Sequence, residues 1–549
     1  MVIIGIDVGG THTDGVVIKN REIIKSAKTV TNHENLVESI IELIELLTEN
    51  MPHSLVDRIT LSSTLTTNLI LENQLPKTGL IISGGPGVDI NNFKKDEFTY
   101  IVDGAIDHRG RVLKRINLME LEFIIDDLLC NDIETVAVCS KFSVRNPLHE
   151  TLIKERLGNK FENVTMGHTL SGNLNFPRRI NTAYLNAATF KKNVSFIKSI
   201  LGFLNSCNFN CPVFILKADG GTISTDEAYH KPIYTVLSGA AAGVMGVMSL
   251  MSIEDESIAV LDIGGTSSDF TFFYHGEPLF EPDGIKIGEQ LTLIRAMYSY
   301  SLGLGGDSFV RVENKEIKIG PERRDVAIAF GGKYLTTTDI VIFSENIDNP
   351  NFNKIQSSIE KTAEQLNISV SEFCEKVLSL FARKIKNFLD NLLENINSKP
   401  IYTIKELVGF KDFKPEKLYL MGTPAANFKK FLSNYLDFEI KIVPEANVVN
   451  AVGAAVSKPT EEINLFADTS VGRMTVPETD YFEKIDSDFN LDKCYNVLKE
   501  HFGSKHYEIT EESVFNIISG FYRTGKTVRL KAQIKPGVEV FLKKGGENV

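Results

Sequence analysis

The sequence predicts an α/β protein made of two related half-domains that face each other across a cleft. Three observations predict it. The stretch Asp262-Ile-Gly-Gly-Thr-Ser-Ser-Asp269 nearly repeats Asp7-Val-Gly-Gly-Thr-His-Thr-Asp14, and each copy lies between two apolar runs, so each reads as a strand, a tight glycine turn and a returning strand. Strand-like and helix-like segments alternate along the chain, with glycines where strands end. A length of 549 residues exceeds what one core holds and implies roughly two to four domains.

Taken in order, the apolar runs 2–6 and 15–18 form the first hairpin, and residues 19–28 continue as a further strand and turn. Thr31-Asn-His-Glu34 fits a capping box ahead of a helix whose Leu36, Ile40, Leu43, Ile44 and Leu47 recur at helical spacing. Leu61-Ser-Ser-Thr-Leu-Thr-Thr-Asn68 gathers more hydroxyls than one helix cap needs, which sets a substrate-facing role beside the capping one. A buried strand at 78–83, a helix at 118–129 and a strand at 135–140 follow. Asn146-Pro-Leu-His-Glu150 opens another helix; His149 and Glu150 are weighed as catalytic groups against a plain helix start. A helix bearing Arg178, Arg179, Asn181, Thr182, Asn186 and Ala187 runs to residue 203, and the strand 212–217 ends in Ala218-Asp219-Gly-Gly-Thr222. That is a carboxylate with two glycines at the C-terminal end of a strand, where ligands gather in α/β folds.

Leu237-Ser-Gly-Ala-Ala-Ala-Gly243 starts a small-residue helix that can pack close to a neighbour or aim its N-terminus at an anion. After the second hairpin come the glycine loop Gly303-Leu-Gly-Gly-Asp-Ser308, the run Thr336-Thr-Thr-Asp339, and an amphipathic helix over 372–396. The strand 417–421 runs into Gly422-Thr-Pro-Ala-Ala-Asn427 and a helix, and 440–456 repeats that pattern, with Ala451, Gly453, Ala454 and Ala455 allowing tight packing. Beyond residue 459 the chain becomes more charged, with a helix expected at 513–521 and a strand at 527–534.

The repeated turn carries the chemistry. Adjacent glycines let the backbone approach a ligand and turn several amides towards one point, which suits a phosphate oxygen, and Thr11 or Thr266 adds a hydroxyl donor. Asp7 and Asp262 repel phosphate directly but suit a divalent cation that bridges phosphates, or its waters. A single such turn is commonly an ordinary hairpin; two in one chain make a clamp around a nucleotide.

Composition narrows the partners. The net charge is −12 and the basic residues are scattered without a stripe, which argues against nucleic acid and anionic membrane. Residues 1–6 start directly as a strand with no basic region ahead of them, and the longest weakly polar run, 236–251, is too short and too rich in Gly, Ala and Ser to span a bilayer, so a cytoplasmic location is expected. Cys130, Cys139, Cys207, Cys211, Cys374 and Cys494 are spread as thiols are in such a chain; Cys207 and Cys211 lack a second pair at zinc-site spacing. His12, His108, His149 and His168 are scattered.

The order of these motifs resembles the hydantoinase A / 5-oxoprolinase family, within the actin-like and sugar-kinase-like ATPases. The residues that carry it are 7–14, Thr67-Asn68, Asn146-Pro-Leu-His-Glu150, Asn186-Ala187, Asp219-Gly-Gly221, Ser238-Gly239, 262–269, 303–308, Thr338-Asp339, and Gly422 with the helix around Ala451 to Ala455, together covering roughly residues 1–460. The chain departs from the family pattern at Leu61-Ser-Ser-Thr64, Ser238-Gly-Ala-Ala241 and Gly305-Gly-Asp-Ser308. The resemblance implies an actin-like, ribonuclease H-like two-lobed ATPase fold with duplicated five-stranded mixed sheets flanked by helices, divided as 1–175, 176–460 and a small C-terminal extension over 461–549. It implies ATP with Mg²⁺ between the lobes: Asp7 and Asp262 at the metal, Gly9, Gly10, Thr11, Gly264, Gly265, Thr266, Gly305 and Gly306 at the phosphates, and Gly422 and Thr423 by the adenosine. Asp219, Asp269 and Asp307 are the candidate bases, Asp219 first because it ends a strand beside glycines.

The activity implied is ATP-dependent opening of a cyclic amide, of hydantoin or 5-oxoproline type, through phosphorylation of its oxygen, often with a B-type partner subunit. A small-molecule kinase, a ketone-carboxylase subunit and an ATP-driven switch acting on a partner protein are the alternatives, and a homo-oligomer is left open.

Overall fold

The computed structural model describes residues 1–32, 34–253, 255–281, 283–398 and 413–543. The first sheet is built from Val2–Val8 (β1), His12–Lys19 (β2), Glu22–Val30 (β3), Arg58–Ser63 (β4), Val213–Leu216 (β5) and Thr222–Ser224 (β6), in the order β6-β5-β4-β1-β2-β3. Pairing is antiparallel for β1 with β2, β2 with β3 and β5 with β6, and parallel for β1 with β4 and β4 with β5. The second sheet repeats the central part: Ile258–Ile263 (β7) pairs antiparallel with Ser268–Tyr274 (β8) and parallel with Lys417–Met421 (β9), which pairs with Glu439–Ile442 (β10). The order β2-β1-β4-β5 thus recurs as β8-β7-β9-β10, the mixed sheet of the duplicated actin-like fold. Each sheet holds six strands, one more than expected: β6 extends the first, and Glu277–Pro278 and Ser299–Leu302 both pair with β8 in the second.

Alternation along the strands sets both cores. Val2, Ile4, Ile6 and Val8 of β1 point to the side covered by Leu36–Thr48 (α1) and Phe176–Ser206 (α2), through Ile40, Leu43, Phe196 and Ile200. Ile3, with Val16 and Ile18 of β2, points to the opposite side. Behind the second sheet, Ser238–Leu250 (α3) covers Ile258 and Val260, while Val370–Ser398 (α4) presses Phe373, Val377, Phe381 and Ile385 against Leu261, Phe270 and Phe272. Val449–Val456 (α5) follows β10 yet packs on the first sheet, against Ile3 and Val16. This approach leaves no room for a side chain on Gly5, whose Cβ would stand 2.6 Å from that of Ala455, and α5 crosses α3 where a Cβ on Gly453 would overlap the Ala242 carbonyl.

The first sheet therefore draws β5 and β6 from beyond the expected boundary at residue 175, because parallel β4 and β5 need a long crossover between them. The crossover holds a further, wholly parallel sheet of Asn163–Met166, Thr135–Ser140, Gly79–Ser83 and Thr99–Ile101.

The C-terminal part is a domain-sized unit. Five antiparallel strands, in the order Tyr481–Lys484, Arg473–Val476, Glu462–Asp468, Tyr522–Gln533, Glu508–Ser519, are covered by the helix Leu491–Phe502 through Cys494, Leu498 and Phe502. The helix expected at 513–521 is the end of a strand instead: Ser-Val-Phe-Asn-Ile-Ile-Ser is a short apolar run in which helix and strand periods are indistinguishable, and the return strand pairs with it. This unit docks on the first lobe through His168, buried between Glu150 (2.5 Å) and Asp480 (2.8 Å). Glu150 also accepts from the amides of Ser140 (2.7 Å) and His168 (3.0 Å), so the Asn146 to Glu150 motif anchors structure. Burial opposes a charged His168, but the charge of Glu150 and the hydrogen bonds to Asp480 and Glu150 outweigh it and hold the imidazole up at about 9.

The expected capping box at Thr31 to Glu34 does not form. The helix starts at Leu36 behind Asn35, residue 33 lies outside the described residues, and the Thr31 hydroxyl donates to the Gly9 carbonyl (3.0 Å), tying β3 to the first glycine turn. The cysteines are free thiols, and no described helix is long and apolar enough to cross a membrane.

Candidate active site between two glycine turns

The two hairpin turns are built alike. The Gly9 amide donates to His12 O (3.0 Å) and the Gly264 amide to Ser267 O (2.9 Å), and the registers set Asp7 opposite Asp14 and Asp262 opposite Asp269. They face each other closely: the Thr11 methyl lies 3.5 Å from where a Cβ on Gly265 would be. Among the described residues the amides of Gly10, Thr11, Gly265 and Thr266 find no backbone acceptor, so four donors are left unused at the two facing turns.

Carboxylates crowd behind the turns. Burial raises Asp7, with hydrogen bonds from Ser62 and Asn450 pulling back. Burial, then the charge of Asp269, pushes Asp262 up to about 7, and Asp7 and Asp14 add to the shift while Asn450 opposes it. Asp14 is pushed up to about 6 by burial against the pull of Lys28, and burial raises Asp269 as well. One cation answers them directly: Lys28, opposite Asp14 in the β2–β3 register, lies 3.0 Å from its carboxylate and donates to Thr423 Oγ1 (2.8 Å).

Whether a cation fits is decided by Asp7. Its Oδ1 is buried with no hydrogen-bond partner among the described residues, and a carboxylate oxygen there needs a donor or a metal. It faces the start of α3, 3.8 Å from where a Cβ on Gly239 would stand. Among the described residues no group of three or more His, Cys, Asp or Glu encloses an ion, so Asp7 and Asp262 suit a cation held largely by phosphates and water.

The loop 303–308 buttresses the second turn. The amides of Gly306 and Asp307 donate to Gly264 O (2.8 Å) and Gly265 O (2.7 Å), and Thr337 Oγ1 closes the loop on Gly305 O (2.7 Å). Asp307 pairs with Arg323 (3.1 Å), and Asp339 caps its own helix through the Thr336 capping box. Gly422 adopts φ +94, and a Cβ there would stand 2.7 Å from Asp262 Oδ1, so only glycine lets β9 turn beside this carboxylate. Asn450 Nδ2 donates to Asp262 Oδ2 (3.3 Å).

Of the residues expected from sequence, Asp7, Asp262, Asp269, the two glycine turns, Asp307, Gly305, Gly306, Gly422 and Thr423 thus gather around one gap. Asp219 does not join them. Its carboxylate pairs with Lys217 (3.3 Å), accepts from the Gly221 amide (2.9 Å), and lines a separate cavity of about 80 Å³ with Lys231, Tyr234, Arg295 and Glu478. Ser62, Ser63 and Ser238 bond to one another and Thr67 accepts from the Leu237 amide, so much of the hydroxyl cluster is used to seat α3.

Family comparison decides the lineage. The hydantoinase/oxoprolinase model matches residues 179–463, more than half of the chain, and the model of the hydantoinase/oxoprolinase N-terminal region matches residues 3–161. The chain belongs to the hydantoinase/oxoprolinase family. It is 22% identical to the acetophenone carboxylase gamma subunit of Aromatoleum aromaticum over 97% of this chain and 78% of that one. The nucleotide-free structure of an ATP-dependent acetone carboxylase superposes with a TM-score of 0.72 at 17% identity, covering 99% of this chain and 89% of that one. ATP-dependent caprolactamase from Pseudomonas jessenii gives 0.69 at 16% identity, covering 96% and 87%. The chain spans 34% to 44% of the length of the first curated relatives it matches.

For this hydantoinase/oxoprolinase chain, sequence reading missed Lys28, Asn450 and Arg323. Lys28 had a signal, since continuing the first hairpin's register across the next turn sets it opposite Asp14. Asn450 and Arg323 reach the site from elements distant in sequence, and nothing local marks them.

Proposed function

We propose that this chain is the nucleotide-using part of an enzyme that activates a carbonyl oxygen, in a cyclic amide or a ketone, by phosphorylating it. The observation that carries this reading is the pair of facing Asp-x-Gly-Gly-Thr turns, each offering free amides and a buried carboxylate to the same gap. ATP with Mg²⁺ would supply the phosphoryl group and the charge that screens it. Gly9, Gly10, Thr11, Gly264, Gly265 and Thr266 hold phosphate oxygens by amide and hydroxyl donors, with Lys28 adding positive charge beside them. Asp7 and Asp262 orient the cation's waters, Asn450 fixes Asp262, and Gly305 and Gly306 brace the second turn. Gly422 and Thr423 lie by the adenosine.

Asp269 and Asp307, which stand at the gap, are the candidates for the acceptor-side carboxylate, and Asp219, first in the sequence reading, ranks behind them because it is tied to Lys217 in the separate cavity. Phosphorylating an amide oxygen makes it a leaving group that departs as phosphate once water adds to the carbon, whereas phosphorylating a ketone as its enol traps a carbon nucleophile that is freed to attack carbon dioxide as phosphate leaves through its P–O bond. A second subunit is part of this reading, since the acetophenone carboxylase relative is itself named as a subunit. The test is inorganic phosphate release from ATP by the purified chain across hydantoin, N-methylhydantoin, 5-oxoproline, caprolactam, and acetone with bicarbonate. Stimulation by one of them, with product formed in step with phosphate, supports the reading; a phosphorylated product that persists makes the chain a kinase.

A further inference from the structure

The hairpin formed by Glu508–Ser519 and Tyr522–Gln533 projects past the sheet that carries it, and its first strand is an edge, hydrogen-bonded on one side only. Its far half is exposed on both faces: Val514 is 46% accessible, Phe515 67%, Ile518 68%, Tyr522 78% and Phe521 101%. Residues 513–522 contain no charged side chain; Glu508, Glu511, Glu512 and Arg529 lie towards the hairpin's base, and Lys526 and Arg523 stand on the inner strand opposite Asn516 and Ile518. An exposed edge strand without charge, proline or cover is a pairing template, and natural sheets blunt such edges unless something covers them.

We propose that this edge pairs with the same edge of a second copy of the chain, antiparallel about a two-fold axis at Asn516, joining two five-stranded sheets into one of ten. The axis must pass through a single residue for both copies to keep the same face, and Asn516 is the centre of the neutral run 513–519. The pairing sets Val514 opposite Ile518 and Phe515 opposite Ile517 of the partner copy, all β-favouring pairs. It brings no like charges together, because Glu512 meets the hairpin tip at Gly520 and Glu511 meets Phe521, beside Arg523. On the pairing strand itself Val514, Phe515 and Ile518 are the exposed large apolar side chains, and they meet their counterparts across the axis together with the strand backbone.

The test uses the full chain. Light scattering at micromolar concentration should give twice the mass of one chain, and the pair Phe515→Lys with Ile518→Lys should raise the dimer dissociation constant roughly a hundredfold while leaving the far-ultraviolet spectrum unchanged. In a Cys130→Ser background, Asn516→Cys should form an intermolecular disulfide under mild oxidant, whereas Ser513→Cys should not, its two copies lying about 20 Å apart along the strands. A chain that is monomeric throughout, a dimer indifferent to the lysines, or a Ser513→Cys bridge as ready as that of Asn516→Cys would each overturn the proposal.

Discussion

At the residue scale, the buried carboxylates are the sharpest feature. Among the described residues one oxygen of Asp7 has no partner, and burial and the charge of Asp269 push Asp262 up to about 7, so both are costly to bury and fit the cation of the proposed site. Asp7→Asn and Asp262→Asn should each lower ATP-dependent phosphate release by roughly 10²–10³-fold, with circular dichroism unchanged. Turnover within a fewfold of the parent in both variants would remove them from the site. Gly422→Ala is expected to destabilise by about 1–3 kcal/mol in urea titration, because alanine resists φ +94 and its methyl would press on Asp262. The two Asp-x-Gly-Gly-Thr turns were legible in the sequence because hairpin, glycines and carboxylate are local. Their partners were not: Asn450 lies 188 residues from the carboxylate it holds. Asp219 was read correctly as the end of a strand, but which way a side chain faces from a turn depends on its neighbours, here Lys217 and the segment around Thr460.

At the scale of elements, the glycine-lined contact of α5 with β1 and α3 is where the lobes meet. Gly453→Val should lower the thermal midpoint by several degrees or give insoluble protein, since backbone atoms of Ala242 and Gly246 already occupy the space. The clamp between the first lobe and the C-terminal sheet adds a pH dependence. His168 is raised from 6.5 in the unfolded chain to about 9 in the folded one, so its contribution is complete below about pH 6.5 and is lost as the pH rises through 9. Thermal melts from pH 6 to 9.5 should show that decline, and His168→Gln should flatten it; an unchanged slope would mean the pair is not the clamp. Strands and helices of regular period, such as residues 372–396, were legible, whereas the 513–521 segment was not, because seven apolar and small residues satisfy either period until a pairing partner is known.

At the scale of the molecule, the two turns belong to different sheets, so a nucleotide held by both should bind them together. Saturating ATP with Mg²⁺, at a hundred times its dissociation constant, should add about 2.7 kcal/mol to stability. Amide exchange should slow at residues 9–11 and 264–266 in the same titration, and protection of only one turn would contradict the clamp. The duplicated architecture was legible because it is written twice, but the exchange of elements between lobes was not, since nothing in α5 names the sheet it will cover. That exchange bears on how the protein is made. On the ribosome β1 emerges well before the elements that cover it: its neighbour β4 waits for β5 to extend the sheet, and the rear of β1 stays bare until residues 449–456 appear. At ordinary translation speeds this interval is on the order of a minute, during which the nascent N-terminal half offers sticky strands to chaperones and proteases. A chain stopped near residue 175 would stay in that state and should be recovered as aggregate or not at all.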